Sequence, residues 1–299
     1  MLYQTGDEPI RGYKLVRSLG KGSRGEVWQA SHVSCISAAI KIIPLHDQDD
    51  GRWLPAILEI KNIRHPNLLE INRTWLRDTQ GNPFGLTEAR PLPGWDFIII
   101  MQLGAKSLWE RLQEGLKSQP PGIPRAEIMD HMQGAAKGID YLNGQGLVHG
   151  AIKPHNLLLH GSKVKVSDTG QAGLMGNEPK GAEQVMVDSR AYSSAEALRR
   201  ELHRTSDQYS LAVSYYQLST GNLPFRHGAS ASEIQTAIAA GRLSTSDLPE
   251  REQAVFAKAT HLDPSQRYPS ATKFIEAIQV AQASGPSRWP SGAFHRPVK

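Results

Sequence analysis

The spacing of apolar residues changes once along this chain, and that change limits the fold more than any other sequence feature. Up to Leu103, short apolar runs such as Ala38–Ile43 are bounded by glycine and proline, which is typical of β-strands. From Ser107 onward, apolar residues recur three or four positions apart, which predicts amphipathic helices. A mainly β part followed by a mainly α part indicates the α+β class.

Proline and glycine mark the ends of the predicted elements. In the first part we expect a short helix over residues 54–63, which ends at residues 65–67 (His-Pro-Asn), and an irregular loop over residues 79–95. In the second part, Pro124 begins a helix with apolar residues at a four-three-four-three spacing, and a hairpin turns at Gly161. Further helices are predicted over residues 206–219, 231–240, 250–261 and 270–283.

Composition argues against several classes of protein. The net charge is +5, but the sequence has no block of five or more basic residues, so nucleic acid is not an expected partner. The longest apolar run, residues 97–101, is far shorter than the roughly twenty residues of a membrane helix, and residues 1–12 lack the apolar core of a signal peptide. Cys35 is the only cysteine, which excludes an intrachain disulfide and suits a cytoplasmic protein. Residues 284–299, with three prolines, are expected to form a disordered tail.

Two motifs in the first part suggest phosphate binding. Residues 20–27 read Gly-Lys-Gly-Ser-Arg-Gly-Glu-Val, and Gly20, Gly22 and Gly25 would let backbone N–H groups approach phosphate oxygens. A glycine-rich hairpin turn gives the same spacing without any ligand. On the next strand but one, Lys41 either extends to solvent or meets the phosphates as a cation. Together the two motifs favour a nucleotide site.

The most specific stretch lies in the second part. Residues 149–159 read His-Gly-Ala-Ile-Lys-Pro-His-Asn-Leu-Leu-Leu, and Asp168 follows Asn156 by twelve residues. This order resembles the catalytic loop and the metal-binding Asp-Phe-Gly motif of the protein kinase family, with Thr169 in place of phenylalanine.

The resemblance to Ser/Thr protein kinases, and to bacterial ones in particular, covers residues 13–281. It includes the Ala-Pro-Glu-like segment 191–196, the central-helix segment 207–225 and the late arginine segment 262–268. The resemblance implies a bilobal protein-kinase-like fold. The small, mainly β N-lobe would span about 13–103, and the larger, mainly α C-lobe about 104–281.

The family implies ligand-binding roles for several residues. Lys41 would contact the α- and β-phosphates of ATP, and Lys153 would neutralise charge on the transferred phosphoryl group. Asn156 and Asp168 would hold Mg²⁺. Met101 is the predicted residue behind the adenine base, followed by a hinge. The hinge and the remaining cofactor-binding residues would be Gln102, Leu103, Gly20, Gly22, Gly25, Val27 and Ala39.

Other matching residues would have structural roles. Glu196 and Arg267 would form a buried ion pair that anchors the activation segment, and Asp207 would brace the catalytic loop. Ser189 lies where Ser/Thr kinases carry a threonine that touches this loop, which favours a Ser/Thr over a Tyr lineage.

Ala151 is the main departure from the family, because it stands where the catalytic aspartate belongs. A methyl group cannot accept a proton or orient a hydroxyl nucleophile. Loss of a general base costs ~10²–10⁴ in rate, or roughly 3–5 kcal/mol. His155 is close in sequence, but it fills a variable position of the family and is expected to face away.

Further departures concern control of activity. Gly150 replaces the arginine that would bind an activation-loop phosphate, so control by phosphorylation of residues 171–193 is not expected. The helix glutamate that pairs with the lysine of the family corresponds to Ala56. Glu59, one turn later, either pairs with Lys41 or faces solvent.

Three functions remain open from the sequence. The first is an ATP- and Mg²⁺-binding pseudokinase that serves as a scaffold or an allosteric partner of another protein. The second is a Ser/Thr protein kinase with weak or unconventional phosphoryl transfer. The third is an interaction module without nucleotide, which the presence of Lys41, Asn156 and Asp168 disfavours. A small-molecule phosphotransferase is disfavoured because it would need the missing aspartate.

Overall fold

A computed structural model of the protein describes residues 3–22, 25–46, 58, 60–87, 92–118, 121–169 and 190–283. The described residues belong to two compact units. The first unit contains the described residues up to 104, except 66–68. The second contains residues 66–68 and the described residues from 105 onward.

The first unit is built on an antiparallel sheet of six strands. The strands are β1 (Tyr13–Gly22), β2 (Gly25–His32), β3 (Ser37–Pro44), β4 (Ile71–Arg77), β5 (Pro83–Phe84) and β6 (Asp96–Met101). Their order is β1-β2-β3-β6-β4-β5, which places β3 and β6 in the centre. Both central strands are buried almost throughout and are rich in isoleucine, a β-branched residue that packs well in sheets.

The strand register assigns side chains to the two faces of this sheet. Residues directly opposite each other on antiparallel strands point to the same face, so Val27, Lys41 and Ile99 share one face. The other face carries an apolar cluster formed by Trp28, Ala30, Ala38, Ile40, Ile42, Ile98 and Ile100. Lys41 therefore lies on the face opposite to the apolar cluster.

Residues 3–12, which precede the predicted domain, pack on this apolar cluster. Tyr3 and Ile10 are buried in it. The hydroxyl group of Tyr3 donates a hydrogen bond to Asp96 Oδ2 (2.5 Å) and accepts one from Arg77 Nη1 (2.6 Å). These two bonds attach the N-terminal segment to β4 and β6.

The second unit is mainly helical. Its helices are α1 (Leu108–Gly115), α2 (Arg125–Gly144), α3 (Ala195–Leu198), α4 (Ser206–Thr220), α5 (Ala231–Ala239), α6 (Glu250–Ala259) and α7 (Ala271–Ala283). Strands β7 (Lys106–Ser107), β8 (Leu157–His160) and β9 (Lys163–Val166) form a small sheet in that order. The predicted helix after Pro124 and the predicted hairpin at Gly161 are both present as α2 and the β8–β9 turn.

Helix α4 is the centre of the second unit, because it is buried along its whole length. Two of its serine hydroxyl groups are paired within the helix. Ser210 donates to the carbonyl of Ser206 (3.1 Å), and Ser214 donates to that of Ser210 (2.8 Å). A buried donor that is paired avoids most of the desolvation cost, which lets a helix with polar residues occupy a core.

Three sequence expectations differ from the structure or lie wholly or partly outside the described residues. The expected loop over residues 79–95 contains β5, whose Phe84 pairs with Leu76 and stacks on Trp95 with ring centroids 5.3 Å apart. A strand of two residues has too little periodicity to be recognised in a sequence. Half of the helix predicted over 54–63, and the whole of the predicted tail 284–299, lie outside the described residues. Within the described part of the chain, no helix is long and apolar enough to cross a membrane.

Candidate nucleotide-binding site

The three glycines of the β1–β2 turn differ in their surroundings. Gly25 has a φ of 143°, and a Cβ atom there would collide with the carbonyl oxygen of Ile42. The packing of β2 against β3 therefore requires glycine at this position, with or without a ligand. At Gly20 a Cβ atom would meet no described atom within 4 Å, and at Gly22 only the Gly25 carbonyl oxygen at 3.9 Å. Open space beside two glycines fits a phosphate group that approaches the backbone closely.

Lys41 is buried on the sheet face that it shares with Val27, and only 7% of its surface is exposed. The solvent-facing alternative for this lysine is therefore wrong. Ala39, two residues earlier on the same face, lies opposite Met101 at the end of β6. The first unit thus brings four of the predicted nucleotide contacts to one face of its sheet. A buried ammonium group needs negative groups around it, and nucleotide phosphates are chemically suited to that place.

The predicted hinge follows β6. The backbone N–H group of Gln102 donates to the carbonyl oxygen of Glu70 (3.0 Å), so it is used within the first unit. Leu103 is half-buried. A purine base at this position would therefore have to form its hydrogen bonds with other backbone groups of the hinge.

In the second unit, Asp207 holds the loop that carries Ala151. Its two carboxylate oxygens accept hydrogen bonds from the N–H groups of His149 and Gly150, both at 2.7 Å. Gly150 has a φ of 71°, a conformation that costs residues other than glycine about 1–2 kcal/mol. Burial raises the pKa of Asp207, whereas His149 and the two N–H groups act in the opposite direction. These contacts are those expected of a residue that braces the loop.

His149 links the loop to the residues before Asp168. Its buried ring lies with Nε2 2.7 Å from the carbonyl oxygen of Ser167. Its Nδ1 accepts a hydrogen bond from the N–H group of Ala151 at 3.2 Å. Because Nδ1 is an acceptor here, Nε2 carries the proton that is donated to Ser167.

Asn156 is oriented as a metal-binding amide would be. Its Nδ2 donates to the carbonyl oxygen of Ala151 (2.8 Å), which leaves Oδ1 as the acceptor atom. The backbone carbonyl of Asn156 accepts from the N–H group of Ser167 (2.9 Å), next to Asp168. An amide oxygen and a carboxylate suit Mg²⁺, which keeps several water ligands and needs few protein groups. The described residues contain no cluster of three or more His, Cys, Asp or Glu side chains that could hold a metal by itself.

Asp168 and Thr169 each have a feature that lowers the stability of the fold. Asp168 has a φ of 62°, which is uncommon for a residue other than glycine, although Asp tolerates it better than most. The Thr169 hydroxyl group is buried and has no hydrogen-bond partner. The threonine therefore places an unpaired polar atom in the core, where the family has a phenyl ring.

Ala151 offers no proton acceptor, and His155 is a poor replacement. The ring of His155 stacks on Trp109 of α1, with centroids 4.8 Å apart. Burial, and after it the charge of Lys153, lower the pKa of His155 to about 4. A group with this pKa is a weak base near neutral pH.

The implied ion pair between Glu196 and Arg267 is present. The Arg267 guanidinium donates to both carboxylate oxygens of Glu196, at 2.7 and 2.9 Å, and both side chains are buried. The guanidinium also lies over the ring of Tyr209, 5.0 Å from its centroid. Burial alone would raise the pKa of Glu196, but the hydrogen bonds from Arg267 and neighbouring hydroxyl groups lower it to about 2.

Two residues at the site were not identified from the sequence. Trp109 stacks on His155, and Asn143 Nδ2 donates to Asp207 (3.4 Å). Ser107 and Glu110 form a capping box at the start of α1, a sequence signal that would have located this helix and its tryptophan. Asn143 lacks such a signal, because its contact is 64 residues away in sequence. Three residues named above, Ala56, Glu59 and Ser189, lie outside the described residues.

Comparisons with known proteins show the family to which the chain belongs. The model of the family described as "Protein kinase domain" matches residues 13–282 of this chain. The chain is 26% identical to the Ser/Thr protein kinase PknF of Mycobacterium tuberculosis over 283 residues, which cover 89% of this chain and 56% of PknF. It is 28% identical to PknJ of the same organism over 294 residues, covering 92% of this chain and 46% of PknJ. The chain thus spans about half the length of these curated relatives.

Solved structures share the fold. The PknI kinase domain of M. tuberculosis superposes with a TM-score of 0.65 at 19% identity, covering 93% of this chain and 99% of that one. A Rad53 fragment in complex with AMP-PNP superposes with a TM-score of 0.68 at 18% identity, covering 90% and 66% of the two chains. The β-sheet unit and the helical unit correspond to the N-lobe and C-lobe of this α+β fold. The chain belongs to the protein kinase domain family, with bacterial Ser/Thr kinases among its relatives.

Proposed function

We propose that this chain is a nucleotide-binding pseudokinase of the Ser/Thr lineage, which acts on a protein partner as a scaffold or an allosteric regulator. The observation that carries the proposal is Ala151 in a loop that keeps its supporting contacts, although Gly150 also departs from the family pattern. Asp207, His149 and Asn156 all make the contacts that hold this loop. The loop is therefore folded as a catalytic loop would be, with a methyl group at the position where the chemistry needs a carboxylate.

ATP and Mg²⁺ are the proposed ligands. The N–H groups near Gly20 and Gly22 and the ammonium group of Lys41 would neutralise phosphate charge from the first unit. Asn156 Oδ1 and the Asp168 carboxylate would hold the cation, which supplies further charge neutralisation when it is bound. The arrangement of Val27, Ala39, Lys41 and Met101 on one face of the sheet supports nucleotide binding over an interaction module that binds no nucleotide.

The alternative is a Ser/Thr kinase with slow transfer. The hydroxyl oxygen of the acceptor would form a bond to the γ-phosphorus while the bond to the β–γ bridging oxygen breaks. The hydroxyl proton would pass to water or to a phosphoryl oxygen, because Ala151 cannot take it. The presence of Lys153, Asn156 and Asp168 supports this alternative, because these residues would still neutralise charge on the transferred phosphoryl group and hold Mg²⁺.

Nucleotide binding is tested first, by thermal unfolding with and without Mg²⁺·ATP. A ligand that binds only the folded state raises the unfolding temperature by mass action. We expect a rise for the parent protein, and a smaller rise for Lys41→Met and for Asp168→Ala. Arg251→Gln, an exposed change on α6, serves as the control and should behave as the parent does. An unchanged unfolding temperature at saturating Mg²⁺·ATP in the parent would remove the proposal.

Transfer is tested by a long radiolabelled-phosphate assay on the parent and on Ala151→Asp. The pseudokinase proposal expects a silent parent and at least a ~10²-fold gain in the variant. Parent activity that Asp168→Ala abolishes would instead establish the slow kinase.

A further inference from the structure

We infer that residues 286–294 of this chain, here called the tail segment, dock on an aromatic surface that Trp109 of α1 forms with His155 of the loop that carries Ala151. The tail segment reads Pro-Ser-Arg-Trp-Pro-Ser-Gly-Ala-Phe. A docked tail segment would compete with any protein partner for the surface next to this loop. That consequence rests on the proposed function, whereas the docking itself does not.

The aromatic surface is held in place before any segment docks. The rings of Trp109 and His155 stack with centroids 4.8 Å apart and an angle of 19° between their planes. Trp109 lies inside the capping box that Ser107 and Glu110 form at the start of α1. His155 lies in a short 3₁₀-helix, Pro154–Asn156. A surface that is ordered in advance loses less conformational entropy when another segment binds.

The surface is apolar although it contains a histidine. Burial, and after it the charge of Lys153, hold the pKa of His155 at about 4, so the imidazole is uncharged near neutral pH. Trp109 and His155 are both half-buried, which leaves part of the stack exposed. Surfaces lined by aromatic rings bind segments that contain proline, because such segments have little conformational entropy to lose. The tail segment contains two prolines and two aromatic residues: Pro286, Pro290, Trp289 and Phe294.

The end of α7 is linked to α1 by side-chain contacts at the start of α2. The side-chain amide of Gln282, near the end of α7, lies 3.0 Å from Nε of Arg125, the first residue of α2. Glu127 of α2 accepts two hydrogen bonds from Arg111 of α1, at 2.7 and 2.8 Å. The chain beyond α7 therefore starts beside the two helices that lead to Trp109.

The chain beyond α7 is long enough to reach the aromatic surface. An extended chain advances about 3.3–3.6 Å per residue, so Trp289 can lie roughly 20 Å and Phe294 roughly 36 Å from Ala283. Helix α1, in comparison, is about 12 Å long. The covalent connection also keeps the tail segment at a high effective concentration near the surface, an advantage that a segment of another protein lacks.

The first test measures the rate at which trypsin cleaves the whole chain after Arg288. Cleavage requires an undocked tail segment, so its rate follows the undocked fraction. A contact between aromatic residues should slow cleavage about three- to tenfold, and Trp109→Ala should restore the faster rate. Trp95→Ala removes another half-buried tryptophan, in the first unit, and should be cleaved as slowly as the parent. Mass spectrometry of the product that has lost residues 289–299 gives the rates.

The second test leaves the helical unit unaltered, so it separates docking from folding. The whole chain is labelled with fluorotryptophan, and Trp109→Phe identifies the fluorine NMR signal of Trp109. The double variant Trp289→Ser/Phe294→Ser should shift this signal, because the tail segment no longer contacts the indole ring. Trp95→Phe should leave the signal where it is.

Equal cleavage rates in the parent and in Trp109→Ala would overturn the inference, as would an unshifted Trp109 signal in the double variant. Protection that disappears on dilution would assign the tail segment to a second copy of the chain, which also contradicts docking within one chain. Thermal unfolding with Mg²⁺·ATP reports on the proposed function separately, so either conclusion can fail while the other holds.

Discussion

At the scale of single residues, the three glycines of the β1–β2 turn show how one motif can combine two demands. Gly25 lets β2 pass the Ile42 carbonyl, a requirement of the fold. Gly20 and Gly22 border open space, which a packing argument does not explain. The motif therefore has a structural glycine and two glycines that are available for a ligand.

This distinction predicts that alanine has a large effect on stability at Gly25 and a small effect at Gly20. Gly25→Ala should destabilise the protein by about 2 kcal/mol or more, because the new Cβ atom meets backbone and the φ of Gly25 is unfavourable for alanine. Gly20→Ala should change the free energy of unfolding by less than about 0.5 kcal/mol. Urea unfolding of both variants measures the difference. Similar losses in the two variants would contradict it.

The buried hydroxyl group of Thr169 allows a stabilising change. Valine has nearly the same shape and removes the unpaired polar atom. Thr169→Val should therefore raise the free energy of unfolding by about 1 kcal/mol, the lower end of the cost of an unsatisfied buried group. Thermal or urea unfolding would show it. A loss of stability would mean that the hydroxyl group has a partner in solution.

At the scale of elements, the Glu196–Arg267 pair joins α3 to the turn that precedes α7. Arg267→Met should cost about 3–5 kcal/mol, because it leaves the Glu196 carboxylate buried without its partner. Arg226→Gln breaks an exposed pair with Glu233 and is the control; its unfolding midpoint should not change measurably. Equal effects of the two changes would show that the pair is not buried in solution.

The long amphipathic elements could be predicted from the sequence, and the short ones could not. Helix α2 follows from Pro124 and a regular apolar spacing. Strand β5 has two residues, and α3 has four, so neither shows a period. Helix α1 was missed although its capping box is readable, since its sequence begins directly after the two-residue strand β7.

At the scale of the whole molecule, acid stability should depend on Glu196. The pKa of this carboxyl group is about 2 in the folded protein, against an ordinary value of 4.5. Between these values the unfolded chain binds a proton that the folded protein does not, so stability rises with pH. The contribution, about 3 kcal/mol, is complete above pH ~4.5 and is lost as the pH falls toward 2.

The Glu196→Gln variant tests this dependence. Between about pH 5 and pH 3, the free energy of unfolding should rise with pH less steeply in this variant than in the parent. The difference between the two slopes should correspond to at most one bound proton. Urea unfolding at a series of pH values gives both slopes. Identical slopes would show that Arg267 does not lower the pKa of Glu196.

The candidate site was predictable to the extent that its chemistry depends on residue type and order. The motif around Asn156 and the ion pair of Glu196 with Arg267 followed from the family resemblance. The stacking of His155 on Trp109 and the unpaired hydroxyl group of Thr169 did not, because they depend on how particular side chains pack. Packing of this kind is decided by contacts between residues that are distant in sequence.

The attachment of residues 3–12 to the sheet has a practical consequence for recombinant work. The family match begins at residue 13, and a gene cut at that codon would encode a product without Tyr3 and Ile10. The tryptophan and isoleucine side chains of the apolar cluster would then face water, and exposed patches of this kind promote self-association. Such a shortened product should collect in inclusion bodies, whereas expression from Met1 keeps this cover in place.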